Sequence, residues 1–91
     1  MIGHDFFNED YSILFNWVRF DLGEAIPEHA HDYPHDCFLL KGKIRLVVGP
    51  IVKELEAPDT IRFPHGAVHS IVALTDGAEA IFTHPADKVP R

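Results

Sequence analysis

The sequence holds a single cysteine, Cys37, so no internal disulfide framework can staple the chain. Basic residues are scarce: eight Lys and Arg stand against fourteen Asp and Glu, a formal net charge of −6. Nucleic-acid binding needs a cationic excess to neutralise phosphates, so no nucleic-acid partner is expected. An anionic membrane surface is disfavoured for the same reason. No apolar run approaches the roughly 18–20 residues that a spanning helix needs. Residues 1–10 are acidic and lack the basic start and apolar core of a secretory signal, so a cytoplasmic location is expected. Internal repeats, low-complexity tracts, a Gly-rich phosphate loop, a nucleophile dyad and a helix-turn-helix segment are all missing.

What is present suits one globular domain. Hydrophobic residues make up 46% of the 91 and charged ones 24%, which argues against disorder. We read residues 1–91 as a single domain, with a core over about 12–84 and a mobile tail at 85–91. Pro and Gly are spread throughout and cut the chain into short segments, none of which supports a long helix. Residues 12–22 are rich in β-branched and aromatic side chains and predict a strand. Residues 43–48 alternate, with Ile44, Leu46 and Val48 on one face and Lys43 and Arg45 on the other. Gly49-Pro50 reads as a turn and 51–56 as the return strand. Segments 60–63, 69–74 and 78–83 are further strands, the last two joined by a turn at 75–77. Residues 1–11 read as a short turn or an edge strand. Many short strands with such punctuation predict an all-β sandwich or barrel.

Seven histidines in 91 residues are an excess that asks for a use. In an extended chain, residues two apart share a face, so His29 and His31 project together. His35 has the same parity, and a kink at Pro34 brings it back toward them. His69 follows Pro64-His65-Gly66, and a barrel would set its strand beside the first group. Imidazole suits Fe, Ni, Cu, Zn and, less well, Mn. The plain alternative for His29 and His31 is a pair of polar loop residues before a strand. His4, His65 and His84 read as solvated surface residues, although His84 shares the parity of Ala78, Ala80 and Phe82.

These residues carry a resemblance. Gly23, five residues, His29-Ala-His31, three residues, His35, six residues and Gly42 resemble the first motif of the cupins, with His35 where that motif has Glu. Pro58, five residues, Pro64-His65-Gly66, two residues, His69, three residues and Ala73 resemble the second. The second motif's first Gly and last Asn are missing, the latter at Ala73. The chain therefore resembles a small single-domain cupin over 23–73 by motif and about 12–84 by strand pattern.

The resemblance implies an all-β double-stranded β-helix, or jelly-roll barrel, with a metal inside. It implies one divalent transition metal per chain (Fe, Ni, Zn, Mn or Cu) held by His29, His31, His35 and His69. His35 is either a fourth ligand or a neighbour that hydrogen-bonds a ligand or bound water. Cys37, Leu39, Ile71 and Phe82 are expected to line the pocket. Cys37 reads as a small buried hydrophobe or, more sharply, as a pocket thiol. With imidazoles alone the ion's charge stays uncompensated, so a small anionic ligand is the expected partner. All-His iron sites in cupins are associated with oxygen insertion into diketones or thiols, so the expected activity is dioxygenase-like. A non-catalytic cupin that binds a small ligand with a structural metal, and a sugar isomerase, epimerase or lyase, are the alternatives. The apolar outer side of residues 12–22, together with some of Phe6, Phe7, Phe15 and Trp17, predicts a homodimer.

Overall fold

Alternating side chains make a strand only where a second sheet can cover the apolar side. The computed structural model, which describes residues 1–88, shows this arrangement. Its strands are β1 (Ile2–Asn8), β2 (Ile13–Phe20), β3 (Ala25–His29), β4 (His35–Lys41), β5 (Lys43–Val48), β6 (Ile51–Glu56), β7 (Asp59–Phe63), β8 (His69–Ala73) and β9 (Ala78–Pro85). They form a five-stranded sheet in the order β1-β2-β9-β4-β7 and a four-stranded sheet in the order β3-β8-β5-β6. Every pairing is antiparallel. The all-β jelly roll expected from the motifs is the fold. No helix among the described residues is long and apolar enough to cross a membrane.

Residues 1–11 contain the edge strand rather than only a turn, with β1 paired to β2 along its whole length. The expected tail is corrected in part. Pro85 closes β9 opposite Ile13, and residues 86–88 form a 3-10 turn. Ala86 is buried, and its N–H donates to Ser12 O at 2.9 Å, so β2 holds this segment. Residues 89–91 of the expected tail lie outside the described residues.

The core lies between the inner faces of the two sheets. Val18 and Phe20 of β2, Cys37 and Leu39 of β4, Phe63 of β7 and Phe82 of β9 meet Ile44, Leu46, Leu55 and Ile71 of the opposite sheet. Phe20, Phe63, Ile44 and Leu46 are 0% exposed. Burying a side chain of this size contributes about 1.5–3 kcal/mol. The alternation read in residues 43–48 holds. Ile44 and Leu46 are buried, while Lys43 and Arg45 point outward and pair with Glu56 and Glu54. Such exposed pairs contribute little to stability.

Gly42 turns β4 into β5 with φ at 80°. A Cβ at Gly42 would collide with Thr75 Oγ1 and sit 3.1 Å from Ala78 Cα. Thr75 Oγ1 itself accepts the Lys43 N–H at 2.9 Å, so it is not free to move aside. Gly23 has φ at 82° but open space around it. Both Gly→Ala variants therefore carry the cost of about 1–2 kcal/mol of a left-handed L-residue. Only Gly42→Ala adds overpacking, typically about 1–3 kcal/mol. Urea unfolding should show Gly42→Ala as the less stable of the two. Equal midpoints would contradict the packing described for this corner.

Candidate metal centre

The histidines enter the sandwich at one end because β3 carries an irregularity there. Ile26 lies opposite Ile71, and His29 lies opposite His69, so three steps on β3 match two on β8. This β-bulge falls at Pro27–Glu28, on an edge strand where a residue without an N–H is tolerated. It puts Ile26 and His29 on the same inner face despite their odd separation. His31 follows in the loop, and its carbonyl accepts the Gly66 N–H at 2.8 Å. Gly66 has φ at 73°, which only glycine adopts cheaply. The Pro64-His65-Gly66 turn thus ties the His31 loop to the start of β8. His35 opens β4 opposite Phe63, and His69 opens β8 beside Val48. Both are almost fully buried.

His29, His31 and His69 bring one ring nitrogen each to within 4.8 Å of one another. The hydrogen bonds around them set the tautomers. His29 Nδ1 lies 2.7 Å from Pro27 O, and His69 Nδ1 lies 2.9 Å from Ala67 O. A carbonyl only accepts, so each Nδ1 carries the proton and donates. Each Nε2 is then a bare lone pair, the form in which imidazole binds a cation. The donor set therefore fits a divalent transition ion.

His35 stands beside this group of three. Its Nε2 is 3.3 Å from His69 Nε2. Because His69 Nε2 is bare, the proton shared between them belongs to His35 Nε2. His35 Nδ1 is then unprotonated, fully buried and without a hydrogen-bond partner. If His35 instead used Nε2 as a fourth ligand, its proton would move to Nδ1. A buried donor with no acceptor costs about 1–3 kcal/mol. His35 Nδ1 lacks a partner among the described residues in either tautomer, so His35 stands beside the converging group of three either as an N–H donor or, with its proton on Nδ1, as the fourth ligand expected from the motif.

A cavity of about 230 Å³ opens in front of these rings. Ile26, Ile71 and Phe82 form its apolar wall; His29, His31, His35, His69, His84 and Asn16 form the polar one. No Asp or Glu is among its lining residues. Of the expected lining residues, Ile71 and Phe82 are in place. Cys37 and Leu39 are corrected: both are buried in the core cluster and neither lines the cavity. Burial pushes the Cys37 thiol up to about 12, so at neutral pH it is a protonated apolar filler and not a thiolate ligand. His4 and His65 are exposed, as expected.

His84 is a further correction. It lines the cavity, with its ring stacked on His35 at 4.9 Å between centroids and edge-on to His31 at 5.5 Å. Tyr33, which sequence reading did not single out, is buried, and its hydroxyl lies 2.9 Å from His84 Nδ1. The signal for His84 was its parity. Ala78, Ala80 and Phe82 face inward on β9, and β9 runs on through His84 because β2 pairs with it.

Burial and mutual repulsion favour the neutral form of His31, His35, His69 and His84. Burial first, then the neighbouring His84, His31, His69 and His29, lower the His35 pKa from 6.5 to about 3. Burial likewise lowers those of His31, His69 and His84, with repulsion from other rings adding to it. Burial raises the Tyr33 phenol, which stays protonated.

With the site in view, comparison with known proteins decides the family. The cupin domain family model matches residues 16–84. The chain belongs to the cupin family. No curated protein matches it. Among solved structures, the chain is similar to the Cnp3 cupin domain of Schizosaccharomyces pombe, with a TM-score of 0.80 and 20% identity over 91% of this chain. It spans 59% of that protein's chain. An RmlC-like cupin from Shewanella frigidimarina gives 0.74 and 25% identity, covering 84% of this chain and 68% of the other. A variant of oxalate decarboxylase from Bacillus subtilis gives 0.74 and 23%, covering 80% of this cupin but 21% of the enzyme. An enzyme and a protein described only by its cupin domain share this fold, so the reaction has to be argued from the site.

The lowered histidines make the metal-free cupin acid-sensitive. A base whose folded pKa lies below its unfolded value binds fewer protons when folded. Stability therefore rises with pH across that interval and is lost as pH falls from about 6.5 toward 3. Urea midpoints measured on metal-free protein should fall from pH 7 to pH 5, before carboxylates titrate. A flat profile over those two units would contradict the neutral cluster.

Proposed function

We propose that this cupin is a metal-dependent enzyme of the dioxygenase type that acts on a small anionic or enolisable molecule. The observation that carries the reading is the convergence of His29, His31 and His69 nitrogens, without a carboxylate, beside an open cavity of about 230 Å³. A divalent Fe, Ni, Zn, Mn or Cu ion held by these three residues would supply a Lewis acid and a template for substrate. The rest of the chemistry belongs to the chain. The Pro27 and Ala67 carbonyls orient the two Nδ1–H groups. Ile26, Ile71 and Phe82 exclude water from one side of the ligand. His35 Nε2–H becomes available to a ligand once the lone pair of His69 is engaged by a cation. The cavity holds about eight water volumes at roughly 30 Å³ each, so the substrate is small. Diketones and small thiols fit that limit.

Elemental analysis of untagged protein should find close to one transition metal per chain. His29→Ala, His31→Ala and His69→Ala should each weaken metal binding beyond the about 10–100-fold typical of an outer partner's loss. His35→Ala should weaken it less. Full metal content in His29→Ala and His69→Ala would refute the site. Oxygen uptake by iron-loaded protein, across diketones, thiols and catechols, then tests the reaction. Silence across that panel would leave the isomerase and binding readings.

We further propose that the cupin works as a homodimer. The register puts Phe6 beside Phe15, Trp17 beside Ile81 and Ile81 beside Phe38, all on the outer face of the five-stranded sheet. Phe6 stacks on Phe15 at 5.1 Å, yet Phe6 and Phe38 remain exposed. Phe7 takes the opposite parity and faces inward. A contiguous apolar face of this kind supports pairing with a second copy. Light scattering at micromolar concentration should give the dimer mass, and Phe38→Glu should halve it. A monomeric wild type would remove the dimer.

A further inference from the structure

The reading of the cavity as a ligand site leaves one part of its wall without a task. His84 lines the cavity, although it is not part of the group of three nitrogens that suits a cation. Its Nδ1 is engaged by the Tyr33 hydroxyl at 2.9 Å. That is the only hydrogen bond of the buried Tyr33 phenol among the described residues. A buried phenol whose one partner is a ring nitrogen donates its proton to that nitrogen, because the alternative leaves the O–H bond unmade in the interior. His84 Nδ1 is thus the acceptor, and the ring proton sits on Nε2. His84 Nε2 has no partner among the described residues. It is not sealed in either, because among the described residues the only side-chain nitrogen or oxygen that is both fully buried and unpartnered is His35 Nδ1. Tyr33 fixes His84 in the tautomer opposite to that of His29 and His69, which turn bare lone pairs toward the cavity.

We propose that the Tyr33–His84 pair is a ligand clamp: His84 Nε2–H donates a hydrogen bond to a carboxylate or enolate oxygen of the bound small molecule, and Tyr33 is the positioning residue that keeps the proton there. This rests on the cavity binding its ligand beside the proposed metal. The wall divides by chemistry. The bare nitrogens of His29 and His69 suit the cation, and the N–H of His84, beside that of His35, suits the oxygen of an anion. The His84 ring spans both groups, stacked on His35 and edge-on to His31. Asn16 stands at the same wall with its amide N–H₂ anchored on Asp5 Oδ1 at 2.6 Å. Its carbonyl oxygen is an acceptor, suited to a ligand hydroxyl rather than to a second carboxylate. The clamp therefore selects a ligand with one anionic end. His84 and His35 also border a shallower depression with Ser12, Asp36 and Arg62, where the ion pair of Arg62 with Asp36 leaves no free cation for an anion.

Two measurements test the clamp. In metal-free protein, long-range ¹H–¹⁵N spectra should show His84 with Nδ1 bare and Nε2 protonated, and Tyr33→Phe should shift that equilibrium toward Nδ1–H. A protonated Nδ1 in wild type would overturn the proposal whether or not a metal binds. In zinc-loaded protein, pyruvate serves as a small carboxylate probe followed by chemical-shift titration. Wild type should bind it at least tenfold more tightly than His84→Phe, with zinc content unchanged. His84→Gln, which restores an N–H donor near the Nε2 position, should recover most of the loss. Tyr33→Phe should lie between. Equal pyruvate affinity in wild type and His84→Phe would overturn the clamp, as would shifts confined to Ser12 and Arg62. Failure of zinc to bind at all would instead refute the metal reading, and the tautomer measurement would then decide the clamp alone.

Discussion

Five imidazoles share one end of this sandwich, and burial holds four of them, His31, His35, His69 and His84, toward the neutral form. Protonating any one of them places a charge in a half-buried space beside four others that would repel a second charge. Burial and repulsion act in the same direction, which is why His35, at the back of the cluster, has its pKa lowered the furthest, to about 3. Neutrality in turn makes the tautomers matter. A neutral imidazole has one donor and one acceptor, and its neighbours decide which nitrogen is which. Pro27 O and Ala67 O make that choice for His29 and His69, and the Tyr33 hydroxyl makes the opposite one for His84. The chemical character of the cavity is set by three hydrogen bonds that do not themselves face it.

Those bonds depend on the backbone, and the backbone depends on the apolar half of the same faces. The inner face of β4 carries His35, then Cys37 and Leu39; that of β8 carries His69, then Ile71 and Ala73. In each strand the histidine is the end of a row whose other members fill the core. Phe63 shows the coupling most directly. It is fully buried, and its ring stacks on His69 at 4.3 Å and lies 4.8 Å from His35. It fixes two rings by packing while belonging to the core. The tight turns at Gly42 and Gly66 serve the same end, one by admitting Thr75 and Ala78, the other by reaching His31.

Legibility in the sequence followed the period-two rule and stopped where that rule was interrupted. Residues 43–48 and 51–56 are an uninterrupted hairpin, and the faces of 43–48 were readable outright. The motif spacing brought His29, His31 and His69 into view, and the structure gathers them. It could not show that β3 is bulged at Pro27–Glu28, because a bulge depends on pairing with β8 and not on local composition. Nor could it place Cys37 and Leu39 in depth. Parity assigns a face but not a height along the barrel, and both are buried in the core without lining the cavity. His84 failed for a different reason. Its parity was correct, but Pro85 suggested that the strand had ended. β2 extends far enough to pair with Pro85 through Ile13, so the strand continues and carries His84 inward. Tyr33 left no signal, since a loop residue two positions from the His31 ring has no periodicity to betray burial.

The net charge of −6 and an anionic ligand look incompatible until the charges are located. Among the described residues no carboxylate lines the cavity; Glu56, Glu54, Asp36, Glu79 and Glu24 pair with Lys43, Arg45, Arg62, Lys41 and the N-terminus, and Asp5 holds the Asn16 amide. Metal-free, the cavity would not attract an anion strongly, because the bare nitrogens of His29 and His69 present lone pairs to it. A cation held there reverses the sign of that field, and the N–H groups of His84 and His35 then act in the same sense. On the proposed reading, anion and cation would therefore bind cooperatively. By linkage, whatever factor the ion adds to the affinity for the anion, the anion adds to the affinity for the ion. The tautomers would make this reciprocal coupling strong for an anionic ligand. A neutral ligand of the same shape would gain the hydrogen bonds but little of the field, and so would hold the metal less. Discrimination between charged and neutral small molecules is thus built into which nitrogen of each histidine carries its proton.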